Sequence, residues 1–251
     1  MKYLIPNADD FGFTRDVNEG IVHAHRHGVL TATTLMATGG AFDHAVALAR
    51  ANPDLDVGVH LVLVGAPGFP STIPQLAAAV GLRRINIYDQ FVRQVRKILH
   101  AGLFPTHLDT HKHTHLLPPV LEALARVAEE FRIPWVRKLV PLRIPFLNRF
   151  EHHVLSKHGC RTTNHFAGFE MTGRYDTAGL ATLISNLPDG LTEFMCHPGF
   201  CTQELQSART RLKESRRREL DALTSPEVRA AIEKSSVTLT RYRDLPEFPT
   251  Y

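Results

Sequence analysis

Short apolar, β-rich runs alternate with amphipathic stretches along most of the chain. Lys2–Ala8 reads as a first strand that ends at Asp9-Asp10-Phe11-Gly12. A helix is predicted over Asp16–His27, opened by a capping-box-like Asp16…Glu19 pair and closed by Gly28. Thr31–Ala37 is β-branched enough for a second strand. Ala41–Ala51 has helical spacing in Phe42, Ala45, Val46 and Ala49 and stops before Pro53. Asp56–Val64, nearly continuous in Val and Leu, predicts a third strand buried on both faces. Gly65–Gly81 is rich in proline and glycine and reads as a loop or lid.

The helix predicted over Ile87–Ala101 gathers Phe91, Val95, Ile98 and Leu99 on one face, and Gly102 ends it. Thr106–Thr110 is a fourth strand, Pro118-Pro119 starts the helix Val120–Phe131, and Pro134–Lys138 is a fifth strand. Leu139–Gly173 mixes prolines, basic residues and aromatics and fits no regular period. A helix at Thr177–Leu187, a strand at Leu191–Cys196, a basic helix at Leu205–Leu223, a helix from Pro226 and a strand at Val237–Tyr242 complete the reading. Alternating strands and helices imply parallel strands with crossover helices. An open doubly wound sheet and a barrel both satisfy this. Six or seven strand candidates spread over the whole length favour an α/β fold of (β/α) barrel type, incomplete or seven-stranded. No composition shift divides the chain, so residues 1–251 are expected to form a single domain. In such folds chemistry gathers at the C-terminal ends of the strands.

Composition narrows the function classes. With 43% hydrophobic and 22% charged residues the chain is not a disordered one. A net charge of +4 is too small and dispersed to argue for nucleic acid. No apolar run approaches the roughly 18 residues of a membrane span, and charge arrives by Asp9, ahead of any signal-peptide core. Cys160, Cys196 and Cys201 form no CxxC pair, which fits a thiol-reducing cytoplasm. The basic run Arg209–Arg218 is interleaved with Glu214, and Glu219 and Asp221 follow, as on a solvated helix face.

Histidine is the outlier, 15 in 251 residues. Four constellations fall at strand ends. Asp9-Asp10 are adjacent carboxylates, and side chains alternate along a strand, so both reach one site only if the chain turns between them; Gly12 supplies such a turn. Alone, the pair reads as a solvated turn or helix cap. His60 interrupts the apolar run Gly58–Val64, where a histidine bonded to backbone would serve equally well. From His107 through Asp109, His111 and His113 to His115, every odd position is His or Asp, a polar stripe at strand period. Such a stripe suits metal binding by one or two histidines, with the rest orienting ligands or touching substrate; an exposed edge strand is the bland alternative. His197 follows a strand and precedes Pro-Gly, where turn residues are common. Together, an aspartate and two histidines with an open position make a hydrolytic metal site, and a second carboxylate beside the water is placed to take its proton.

The motifs Asn7-Ala8-Asp9-Asp10-Phe11-Gly12, Gly58-Val59-His60-Leu61, Thr106–His115 and Cys196-His197-Pro198, in this order and spacing, resemble the YdjC-like carbohydrate deacetylases, the ChbG/HpnK group. The resemblance implies a glycoside hydrolase/deacetylase-type barrel, cytoplasmic and often a homodimer. It implies a hydrolase acting on a linear amide C–N bond, which uses one divalent metal ion to remove acetyl from an N-acetylated sugar, a chitooligosaccharide or a glycolipid head group. It assigns the metal to Asp10, His60 and His111, the general base to Asp9 and the general acid to His197. His107, Asp109, His113 and His115 become supporting or substrate contacts. Ligand softness favours Zn2+, whereas the family association favours Mg2+. Apolar residues in Leu139–Phe150 would suit a dimer interface. Two rivals stand beside this reading. A metal-dependent phosphoesterase would hold phosphate with Arg137 or Arg143. A degenerate barrel would bind sugar without turnover.

Overall fold

The structure, a computed structural model, describes residues 1–139 and 145–245, with side chains from residue 148 onward in the helix that begins at Pro145. The first half runs β1 (Lys2–Phe11), α1 (Arg15–His27), β2 (Ala32–Leu35), α2 (Phe42–Ala51), β3 (Asp56–Leu61), α3 (Ile73–Gly81), α4 (Ile87–His100) and β4 (His107–Thr110). A 3-10 turn (His111–Leu116) then leads to α5 (Pro118–Phe131), β5 (Trp135–Val136), α6 (Pro145–Lys157) and β6 (His165–Ala167). The chain finishes with α7 (Thr177–Ser185), β7 (Gly190–Cys196), α8 (Gln203–Ser207), α9 (Glu214–Thr224), α10 (Pro226–Lys234), β8 (Val237–Leu239) and a 3-10 turn at Tyr242–Asp244.

All the strand pairings are parallel, in the order β5-β4-β3-β2-β1-β7-β6. The sheet curls until its edges approach at one bridge, Trp135 to Arg161, where Arg161 N donates to Pro134 O and Val136 N to Arg161 O. The result is an incomplete, seven-stranded (β/α) barrel. β8 pairs with the start of β1 at Lys2–Leu4, below the stretch of β1 that β2 covers, so it closes the lower end. β1 is buried continuously from Leu4, as a central strand covered on both faces must be.

Several expectations needed correcting. Gly65–Gly81 is not all loop: α3 begins at Ile73, with Thr72 and Gln75 forming a capping box and Pro74 in the first turn. The cap of α1 is Thr14, whose hydroxyl accepts Val17 N. Asp16 is instead buried, accepting from Thr202 N, Thr202 Oγ1 and Leu205 N, and so ties α8 to α1. The basic helix predicted over Leu205–Leu223 is two helices, α8 and α9, separated by a segment that reaches over the sheet's upper end. Leu139–Gly173 contains α6 and β6; β6 spans three residues, too few to show a period. Much of the suggested Leu139–Phe150 interface, and Arg143, lie outside the described residues.

Gly58 shows how tightly the sheet is built. A Cβ there would come within 2.5 Å of His107 O and 2.7 Å of the His107 ring. His107 points down, away from the strand ends, and stacks on Tyr242 at 4.0 Å between centroids. Gly58→Ala is therefore expected to cost about 1–3 kcal/mol through overpacking, measured as a lowered denaturation midpoint with an unchanged slope.

Candidate active site

Backbone geometry at the end of β1 brings the acidic pair into one cavity. Asp10 has φ +68°, a left-handed conformation that Asp tolerates better than most residues. The β1–β2 register shifts between Ala8 and Phe11, so strict alternation is broken at this point. The turn is thus at Asp10 itself as well as at Gly12, which has φ +94°. Asn18 holds it, accepting Gly12 N at 2.6 Å and donating to Ala41 O at 3.0 Å. Asp9 and Asp10 both line a cavity of about 630 Å³.

Asp10 Oδ1 lies 3.4 Å from His60 Nε2 and 3.2 Å from His111 Nδ1, and those two nitrogens are 3.1 Å apart. Oδ1 is buried and has no hydrogen-bond partner. The other oxygen, Oδ2, is taken by Arg216 Nη2 at 2.5 Å. His60 Nδ1 is 2.6 Å from Asp109 Oδ1, an arrangement that leaves Nε2 free to act as a donor atom toward an ion. Thr34 donates to Asp109 Oδ2 at 3.0 Å, which fixes the carboxylate that fixes the imidazole. Burial pushes His60 down, but Asp109, Asp9 and the nearby Asp10 carboxylate overcome it and raise His60 to about 10. Two imidazole nitrogens and one unpartnered carboxylate oxygen fit a divalent ion, and these three residues can hold one.

Asp9 is placed differently. Arg137 grips it with both terminal nitrogens, Nη2 to Oδ1 at 2.6 Å and Nη1 to Oδ2 at 2.9 Å. The same guanidinium reaches Asp109 Oδ2 at 2.7 Å and Glu193 Oε1 at 2.7 Å. Burial opposes the charge on Asp9, but Arg137 with His60 and His197 outweighs it and holds the carboxyl far below the usual range. The alternative grouping Asp9–His60–Asp109 is equally compact, yet both its carboxylates are already committed to Arg137. His197 stands across the cavity with Nε2 3.8 Å from Asp9 Oδ2.

The polar stripe expected at 107–115 does not persist. β4 ends at Thr110, and Lys112 and His113 adopt left-handed φ values of 54° and 51°, which turn the chain out of its strand. Asp109 and His111 meet at the site and His113 lines the cavity wall beside Phe169. His107 and His115 are not cavity residues. His107 lies 3.3 Å from Asn7 Oδ1, and His115 bonds Thr110 Oγ1. Burial lowers them to about 4 and about 3, so both are neutral. Arg137, named in the sequence as a phosphate holder, is buried and spent on three carboxylates. Arg216 is not on a solvated face but against Asp10. Thr34, Glu193, Arg216 and Glu219 escaped the sequence reading. For Arg216 and Glu219 a signal was present, since they share a helix face with Leu220 and Leu223.

Fold and site together define a barrel enzyme type with a carboxylate–imidazole cluster at the ends of β1, β3 and β4. The chain belongs to the YdjC-like family, whose model matches residues 3–234. It is 35% identical to a carbohydrate deacetylase of Geobacillus stearothermophilus, over 97% of this chain and 98% of that one. It is 32% identical to a chitooligosaccharide deacetylase of Serratia marcescens, over 97% and 99% of the respective chains. A crystal structure from Enterococcus faecalis V583, titled as a candidate cellobiose-phosphate cleavage protein, superimposes with a TM-score of 0.80 at 29% identity, covering 96% of this chain and 98% of that one.

Replacing Arg137 by Met strands Asp9, Asp109 and Glu193 without their shared counter-charge. The expected loss is about 3–5 kcal/mol near neutral pH. Because protonation relieves uncompensated carboxylates, the deficit relative to the parent should shrink as pH falls. Denaturant melts at neutral and acid pH measure both.

Proposed function

We propose that this protein removes the acetyl group from an N-acetylated sugar by metal-assisted hydrolysis. The observation that carries the reading is the convergence of Asp10 Oδ1, His60 Nε2 and His111 Nδ1 at the wall of a cavity that Asp9, Asp10, His111 and His197 line. Asp10, His60 and His111 would hold the ion. The chemistry it supplies when bound is Lewis acidity, toward water and toward the acyl oxygen. The donor set suits Zn2+ or a similar borderline ion better than Mg2+, which prefers oxygen ligands.

The chain's own residues do the rest. Asp9 accepts the proton of the attacking water, and Arg137 keeps it ionised and oriented until then. His197 returns a proton to the amine nitrogen as the C–N bond breaks. Asp109 holds His60 in the tautomer that leaves Nε2 available. His113 and Phe169 form wall beside the reacting group, so one supporting histidine faces substrate while His107 and His115 support the sheet. Relatives described as carbohydrate and chitooligosaccharide deacetylases support the substrate class.

A second feature bears on which sugar. Lys112, Arg209 and Arg211 line the mouth, and Arg209 and Arg211 are exposed without an ion pair among the described residues. They favour a sugar bearing an anionic group, a reading in keeping with the description of the Enterococcus protein as a cellobiose-phosphate cleavage protein. The charge reversals Arg209→Glu and Arg211→Glu together should raise KM for a phosphorylated N-acetylated disaccharide by about tenfold or more, with little change for the unphosphorylated one. Equal effects on both would remove the anion.

The central test is product analysis of the purified protein on di-N-acetylchitobiose and on a sugar phosphate ester. Acetate from the first is expected; phosphate from the second without acetate overturns the proposal in favour of a phosphoesterase. Asp9→Asn should abolish turnover and keep its metal, whereas His60→Ala and His111→Ala should each lose metal by elemental analysis. Retention of metal in both histidine variants would break the ligand assignment.

A further inference from the structure

The buried face of α9 carries a carboxylate that the proposed chemistry leaves unused. Glu219 is 2% exposed, on a helix whose outer face holds Arg217, Arg218 and Asp221. Its Oε2 accepts the main-chain N–H of His197 at 2.5 Å and lies 3.9 Å from His197 Nδ1. Its Oε1 accepts the N–H of Gly173 at 3.2 Å. Gly173 ends the stretch that places Phe169 and Thr172 in the cavity wall. A carboxylate meets two main-chain donors with two acceptors, whereas a carboxamide offers only one.

The His197 ring therefore stands between two acids, Nδ1 toward Glu219 and Nε2 toward Asp9. We infer that Glu219 is the positioning residue for His197: it fixes the main chain beneath the ring, favours the doubly protonated imidazolium, whose Nε2–H is presented toward the cavity, and links that proton to the Phe169–Thr172 wall. The inference rests on His197 as the proton donor and deepens that reading. Its logic is that of a buried carboxylate orienting a catalytic imidazole from the far nitrogen.

The charges around His197 set the direction of the effect. From β1 Asp9 and Asp10 face it, from α9 Glu219 and Arg216, and His113 approaches from the turn after β4. Burial lowers His197; Glu219 and Asp9 oppose that, and Arg216 adds to it. A donor must carry its proton, so activity is lost as pH rises through the His197 value. Removing the Glu219 charge moves that loss to lower pH.

The test compares Glu219→Gln, Glu219→Asp and His197→Asn in the metal-loaded protein with di-N-acetylchitobiose, following kcat and KM across pH. Glu219→Gln should lower kcat at neutral pH roughly tenfold, a part of the 10²–10⁴ that a general acid contributes, and shift the alkaline limb acid-ward by at least about half a unit. Metal content should be unchanged. Glu219→Asp, which keeps the charge and both acceptors, should recover the limb in part. In His197→Asn the further change Glu219→Gln should cost little, because its route runs through the missing ring. A lower kcat in Glu219→Gln with an unmoved alkaline limb would make the residue merely structural and overturn the inference. Unimpaired His197→Asn would instead sink the proton-donor reading itself, an outcome separate from the first.

Discussion

Four carboxylates, Asp9, Asp10, Asp109 and Glu193, are buried together at the upper end of the sheet, and the site depends on how their charge is offset. Unpaired charge in such surroundings costs several kcal/mol per ion. Arg137 answers three of them and Arg216 the fourth. Two arginines stand against four carboxylates, and the carboxylates around His60 raise its imidazole to about 10 despite complete burial. A dication held by Asp10, His60 and His111 would meet the same demand without the proton, with the imidazole neutral as a ligand must be. Burial also pushes the Glu193 carboxyl upward.

The fold was readable because its elements repeat the same local logic. Continuous apolar strands, amphipathic helices and terminating glycines located β1, β3, α4 and β4 within a few residues. What escaped were elements whose length or sequence carries little periodicity, such as the three residues of β6. α3 was different, since Thr72 and Gln75 spelled a cap that the surrounding prolines and glycines masked.

The site was legible to the depth of one shell. Asp9, Asp10, His60, Asp109 and His111 meet because β1, β3 and β4 end at the same level, and no long-range knowledge is needed beyond parallel order. Strand alternation failed at two places, Asp10 and the Lys112–His113 pair, each with a left-handed backbone that residue identity alone does not announce. The first failure helps the site, by bringing neighbouring carboxylates into one cavity. The second divides the histidine stripe between cavity and core. The residues that steady the site lie far away in sequence: Arg137 is 128 residues from Asp9, and Arg216 is 206 from Asp10. A helix as charged as α9 looks solvated unless the leucines sharing a face with Arg216 and Glu219 are weighed.

Asp9 and Asp10 show how position divides the labour of two identical side chains. Asp9 has both oxygens on a guanidinium, and Asp10 has one oxygen on a guanidinium and one with no partner. The unpartnered oxygen is the one directed at two imidazole nitrogens, so Asp10, His60 and His111 can hold an ion together. A carboxylate held bidentately by arginine is a weak base in isolation. In the proposed reaction Asp9 would take its proton from water made acidic by the ion that Asp10 helps to hold, so the two aspartates would act as a pair. The left-handed backbone at Asp10 serves that pairing: without the turn, alternation would point one carboxylate away from the cavity that both now line.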